Sequence, residues 1–212
     1  MAEGLDQKAV ENTFDRYLFD WRRKRSGELE WANYTPYEMR IIGALVRLGR
    51  RDAALELLRF FLSDRRPPAW NQWPEIAWRD HRAPAHVGDL PHTWVAAEYV
   101  LAVRSLFAYE RADNRRLVVA AGIASEWLSG PGVHVQRMPT RYGALSFSLR
   151  TVDEHTLQFA VEPGVDATIE LRPPLPGPLV SVNGRAHTDF DAQSVTITNT
   201  PAHVVCRTTA SA

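Results

Sequence analysis

The spacing of apolar residues changes once along this chain, near Arg116, and that change limits what the chain can fold into. Before it the spacing is helical. Val10, Phe14, Tyr17, Leu18 and Trp21 fall at i, i+4, i+7, i+8 and i+11, one face of a helix. Thr35-Pro36-Tyr37-Glu38 has the form of a capping box with proline at the first helical position, so a helix is expected to open there. That helix turns Met39, Ile42, Leu45 and Val46 inward and ends at Gly49, whose freedom at positive φ suits a C-cap. Leu55, Leu58, Phe61 and Leu62 resume the period after Arg50-Arg51-Asp52, and two helices joined so tightly must form an antiparallel hairpin. Residues 90–111 form another helical pattern, apolar almost all round, which predicts neighbours on several sides.

After Arg116 the runs are short and β-branched or alternating. They cover residues 117–121, 133–138, 145–149, 156–161, 168–171, 179–182, 194–198 and 203–207, divided by Gly, Pro, Asn and Asp. Val182-Asn183-Gly184-Arg185 holds the Asn-Gly pair of a two-residue hairpin turn. Eight such runs predict a sandwich. The expected fold is α+β: antiparallel helical hairpins over residues 1–116, then a small antiparallel β-sandwich over 117–212.

Composition narrows the function classes. The 212 residues are 45% hydrophobic and 24% charged, ordinary for one or two globular cores. Lys+Arg and Asp+Glu are both 25, and a net charge of zero argues against a nucleic-acid partner. No apolar run approaches the roughly 20 residues that span a bilayer, so no membrane partner is expected. The charged N-terminus has no apolar signal core, which predicts a cytoplasmic location. The single cysteine, Cys206, excludes an internal disulfide and a multi-cysteine metal site, and reads as a small buried strand residue.

Residues 65–91 fit neither period. With His92 they hold five prolines, three tryptophans and three histidines, too aromatic a stretch for a plain connector. The candidate cluster comprises Trp70, Asn71, Gln72, Trp73, Glu75, Trp78, Asp80, His81, Asp89, His92 and Trp94. Tryptophan faces stack on sugar rings, and carboxylates and amides hydrogen-bond the hydroxyls. A glutamate among tryptophans can have its pKa raised by desolvation, as acid–base work requires. The same residues would also serve as an aromatic plug between two domains, with solvated charges around it.

Other sites are weaker. His81 and His86, with Asp80 or Asp89, lie on a loop without the i, i+4 spacing of a helix-borne zinc pair, so no metal is expected. Ser146 and Ser148 lack a nucleophile elbow, and Gly130-Pro131-Gly132 opens no helix that would cradle phosphate, so no cofactor is expected either. The run Arg22-Arg23-Lys24-Arg25 reads as a solvated helix end that complements the dipole.

Three stretches in order, Tyr34-Thr35-Pro36-Tyr37-Glu38, Trp70-Asn71-Gln72-Trp73-Pro74-Glu75 and Gly88-Asp89-Leu90-Pro91-His92-Thr93-Trp94, resemble the closing third of six-hairpin, (α/α)6-barrel glycosidases of the bacterial glucoamylase and α-glucosidase type. Ala121-Gly122-Ile123, Glu126-Trp127-Leu128 and Pro139-Thr140-Arg141-Tyr142-Gly143 are similar to the β-sandwich that follows such barrels. The resemblance spans nearly the whole chain. It implies a partial (α/α)6 toroid and an inverting hydrolase in which Glu75 would be the general base on water. Trp70, Trp73, Trp78 and Trp94 would then face sugar, and Asn71, Gln72, Asp89 and His92 would position hydroxyls. It further implies that the general acid lies in hairpins outside this chain, so the chain alone is expected to be inactive. A carbohydrate is the expected ligand, and self-association or a separately encoded N-terminal half the expected cover for the apolar helix. Two non-catalytic alternatives stand beside it: a helical interaction module, and a sugar-binding remnant.

Overall fold

The computed structural model describes residues 5–82, 84–111, 114–174 and 179–207; the first four residues, part of the charged N-terminus read above, lie outside them. The chain divides into two compact units, Met1–Ser105 and Leu106–Ala212. Among the described residues it is an α+β protein with four α-helices and largely antiparallel sheets. The expected partial (α/α)6 toroid is not shown by these helices.

In the first unit, α1 (Gln7–Ser26) starts where the Asp6 carboxylate accepts the Ala9 N–H and ends at Gly27, at φ 88°. Its basic C-terminal run does more than face solvent. Arg22 and Arg25 both reach Glu56, at 2.7 and 3.3 Å, and the Arg25 guanidinium lies 4.8 Å above the Trp21 ring. α2 (Arg40–Arg47) and α3 (Arg51–Ser63) are joined by a Schellman turn: Gly49 N–H donates to the Val46 carbonyl and Arg50 N–H to that of Leu45. Ile42, Leu45 and Val46 of α2 and Leu55, Leu58 and Phe61 of α3 are buried.

The capping box is only half made. Pro36–Met39 forms a 3₁₀ turn ahead of α2, and the Thr35 hydroxyl accepts the Tyr37 N–H at 3.4 Å. Glu38 does not reach back; its carboxylate accepts the Tyr17 hydroxyl at 2.6 Å, tying the turn to α1. Two short strands, β1 (Asn33–Tyr34) and β2 (Ala77–Trp78), pair antiparallel and bring the segment after α3 beside this turn.

α4 (Thr93–Phe107) departs from the sequence expectation twice. It stops at Phe107 because Ala108–Arg111 is strand β3, paired with β4 (Arg116–Val119); apolar content alone does not distinguish the two. Nor is it buried all round. Val95, Ala102 and Leu106 are inside, while Trp94, Val100 and Leu101 are 72%, 61% and 55% exposed along one side. No helix among the described residues is long and apolar enough to cross a membrane.

The second unit is a two-sheet structure around one core. All eight sequence runs contain strands. β5 (Val133–Thr140), β6 (Gly143–Asp153), β7 (Thr156–Val161), β9 (Leu179–Val182), β10 (Arg185–Ala186) and β12 (Ala202–Arg207) form a six-stranded sheet in the order β10-β9-β12-β7-β6-β5. β8 (Thr168–Leu171) and β11 (Val195–Ile197) join β3 and β4 in the order β11-β8-β4-β3. One pair corrects the antiparallel expectation: β4 and β8 run parallel, because the chain passes through β5, β6 and β7 in the other sheet before returning. Asn183, at φ 51°, and Gly184, at φ 76°, make the β9–β10 turn. Leu117, Val119, Ile169 and Leu171 from one sheet share a core with Phe147, Phe159 and Val204 from the other. Cys206 is buried in β12, and burial pushes its thiol pKa up to about 11.

Burial also raises the Glu38 carboxyl above its ordinary 4.5, outweighing the Tyr17 hydrogen bond that pulls the other way. A group with a raised folded pKa contributes stability that is present at low pH and is lost as pH rises through the folded value. The stability of wild type relative to Glu38→Gln, whose amide oxygen still accepts the Tyr17 hydroxyl, is therefore expected to fall as pH climbs above about 4.5, as followed by urea unfolding.

Candidate functional site

The aperiodic segment between α3 and α4 is held by backbone pairing at both ends. Arg66 N–H donates to the Gln72 carbonyl, Glu75 N–H to Asp89, Ile76 N–H to Val87, and His92 N–H to Trp73, at 2.8 to 3.2 Å. The Thr35 hydroxyl donates to the Glu75 carbonyl at 3.0 Å. Two elements thus fix Glu75: the turn before α2 and the approach to α4.

Gly88 faces the Glu75 side chain. It sits at φ 63°, and a Cβ built there would lie 2.8 Å from Glu75 Cβ and 3.0 Å from its carboxyl carbon. Only glycine lets the backbone approach so closely at that dihedral. Glu75 is half-buried beneath it.

Next to Glu75 is a short polar chain. The Tyr37 hydroxyl and His92 Nε2 lie 2.5 Å apart, and His92 Nδ1 is 3.5 Å from an Asp89 carboxylate oxygen. The His92 side chain is 10% exposed and that of Asp89 82%, so the imidazole is held inside while the carboxylate meets solvent. Burial raises the Tyr37 phenol pKa, and the Glu75 charge is the next contribution in the same direction. Tyr37 therefore keeps its phenol proton. The Trp94 ring stands 6.1 Å from that of His92 and 6.5 Å from that of Tyr37, with its outer surface open.

The remaining sequence candidates separate. Trp73 is buried, donates its indole N–H to the Phe61 carbonyl at 2.9 Å and packs 5.1 Å from the Tyr99 ring. Trp78 is half-buried in β2 and its N–H reaches the His86 carbonyl at 2.5 Å. Trp70 is 66% exposed at a 3₁₀ turn, Pro68–Trp70. The Asn71 side chain accepts from Arg65, and the Gln72 amide nitrogen is buried without a hydrogen-bond partner among the described residues. His81 lies 3.6 Å from Asp64. Asp80 accepts the Arg82 N–H at 2.9 Å, a local turn contact. No group of three His, Cys, Asp or Glu among the described residues is arranged to hold a metal ion. Sequence reasoning did not single out Tyr37 for the site; its signal was its place in Thr35-Pro36-Tyr37-Glu38, which read as capping.

No family model and no curated protein matches the chain. Among solved structures it is similar, at 13% identity and a TM-score of 0.34, to a GH127 β-L-arabinofuranosidase from Geobacillus stearothermophilus T6. That match covers 53% of this chain and 18% of the arabinofuranosidase chain.

Gly88→Ala is expected to displace Glu75 and destabilise the protein by about 1–3 kcal/mol, through strain at positive φ and the collision together. Urea unfolding measures the loss. Shifted amide resonances at Glu75, Asp89 and Val87 would locate it.

Proposed function

We propose that the first unit carries the sugar-contacting surface of a glycoside hydrolase of the inverting type, with Glu75 as general base on water. The observation that supports this best is the association of half-buried Glu75 with the Tyr37–His92–Asp89 chain beside the exposed Trp94 ring. A sugar presents an apolar face and a rim of hydroxyls. Trp94 offers the stacking surface, and the exposed Asp89 carboxylate, positioned by His92, offers a hydrogen-bonding group at its edge. Trp70, exposed beside Asn71, is assigned as an outer platform, and Gln72 and Trp78 are assigned to the same surface. Trp73 acts as framework and does not face the ligand. Inversion needs a second carboxyl roughly 6.5–9.5 Å from the base to protonate the leaving group. No such partner is assigned in this unit, so the isolated chain binds sugar without turning it over.

The test is titration of the chain with a panel of mono- and oligosaccharides, followed by amide chemical shifts. Trp94→Ala is expected to weaken binding about tenfold or more, because it removes the stacking face. Glu75→Gln is expected to leave binding nearly unchanged. Absence of saccharide binding, or wild-type binding by Trp94→Ala, overturns the reading.

Val100 and Leu101, exposed on α4 beyond Trp94, call for a partner as well. We propose a second copy of this chain, since two-fold pairing is the commonest cover and a net charge of zero sets up no repulsion between copies. Sedimentation is expected to show a dimer at micromolar concentration and a monomer for Val100→Glu with Leu101→Glu.

A further inference from the structure

A recess apart from the proposed sugar surface lies in the first unit, lined by none of the residues placed there. It is a cleft of about 260 Å³ between the end of α1, strand β1 and the start of the aperiodic segment. Its aromatic lining is Trp31, Tyr34 and Phe60, whose ring centroids stand 5.2 to 5.6 Å from one another. The Tyr34 hydroxyl is already committed to Asp64, so Tyr34 offers the cleft its ring and no free donor.

The charged lining is unbalanced. Arg25, Arg66 and Arg79 border the cleft against one carboxylate, Asp64, a formal +3 − 1 = +2 before His81 is counted. Asp64 is used up: both its oxygens lie 2.9 Å from Arg66 Nη2, and it accepts the Tyr34 hydroxyl as well. Arg25 shares its charge with Glu56 at 3.3 Å and with the Phe60 ring at 5.9 Å. Arg79 has no carboxylate partner among the described residues; its guanidinium reaches only the Lys24 carbonyl, at 3.3 Å. The Arg66 Nε is buried with no hydrogen-bond partner among the described residues.

Aromatic walls with surplus guanidinium at the mouth select for shape and charge together. A ring compound can lie against the aromatic faces, and a carboxylate on that ring can take a bidentate hydrogen bond from a guanidinium. A neutral ring would leave Arg79 unpaired. The volume is small beside the roughly 300–1,000 Å³ of most ligand sites, which limits the occupant to about one ring. We infer that this cleft binds a single-ring carboxylate, with the ring against Trp31 and Phe60 and the carboxylate on Arg79. The inference does not depend on the role proposed for Glu75.

Two kinds of molecule share that chemistry, sugar acids and aromatic acids, and the experiment separates them. The full chain is titrated with glucuronate, benzoate, glucose and benzyl alcohol by calorimetry and amide chemical shifts. At least one acid is expected to bind with shifts at Trp31, Tyr34 and Arg79, and to bind about tenfold or more tightly than its neutral counterpart. Preference for glucuronate assigns a sugar acid, and preference for benzoate an aromatic acid. Arg79→Met is expected to lower the acid's affinity about tenfold at unchanged melting temperature. Arg25→Gln provides a second reading should the first variant unfold. Equal affinity for acid and neutral ring, wild-type affinity in the folded Arg79 variant, or no binding of either acid at about 10 mM overturns the inference. A failure at Trp94 and Glu75 with success here would reject the sugar site alone.

Discussion

Trp73 is the contact on which the candidate site depends. Its indole N–H ends on the Phe61 carbonyl in the last turn of α3, its ring lies on Tyr99 of α4, and its own carbonyl accepts the His92 N–H where α4 begins. One buried side chain therefore ties the helix before the aperiodic segment to the helix after it. A buried indole is large enough to dominate local packing and needs a partner for its one donor. Here it has both. Glu75 lies two residues downstream of this anchor, between the Thr35 hydroxyl and the Asp89 backbone. The precision of a loop-borne carboxylate comes from such ties, since the loop has no regular structure of its own.

Two tyrosine–carboxylate pairs extend the same logic. Tyr17 donates to Glu38 and Tyr34 donates to Asp64, and burial raises both phenols well above their ordinary range. Each pair spans elements far apart in sequence: α1 with the turn before α2, and β1 with the end of α3. A partly buried carboxylate is unfavourable unless it is hydrogen-bonded. These hydroxyls supply the bond and, in doing so, fix where the turns lie. Tyr37, carried on the first of those turns, reaches His92 as a result.

The fold was most legible where one short-range signal decides the backbone. Gly49, the Asn183-Gly184 pair and the eight alternating runs act through local dihedrals or a strict period, and local rules suffice for them. The errors fall where long-range pairing overrides local preference. Ala108–Arg111 continues an apolar helix by composition but pairs with Arg116–Val119, and the parallel β4–β8 pair follows from a route between sheets that no local pattern encodes. Glu38 satisfied the capping-box spacing yet bonded to a residue 21 positions away. For the site, the segment was visible from its composition, but the division of labour among its tryptophans was not. Trp73, Trp78, Trp70 and Trp94 are chemically alike in sequence; only the packing made the first a core residue and left the last open.

The sugar surface and the cleft proposed in the first unit share structural support without sharing ligand contacts. Arg66 borders the cationic cleft, grips Asp64, and sends its other guanidinium nitrogen to the Trp78 carbonyl, while its backbone N–H holds Gln72. It therefore fastens the same segment that presents Glu75. Its pairing with Asp64 is largely shielded, with side chains 15% and 14% exposed, and breaking one partner would leave the other charge buried without compensation. Arg66 is for that reason a structural residue first. Arg79 has no carboxylate partner among the described residues and reaches only the Lys24 carbonyl, so the cationic character of the cleft is separable from the integrity of the loop. A ligand on Arg79 would bind where the framework gives nothing up. That is the arrangement expected of a site built on a rigid segment, as distinct from one that must reorder to receive its ligand.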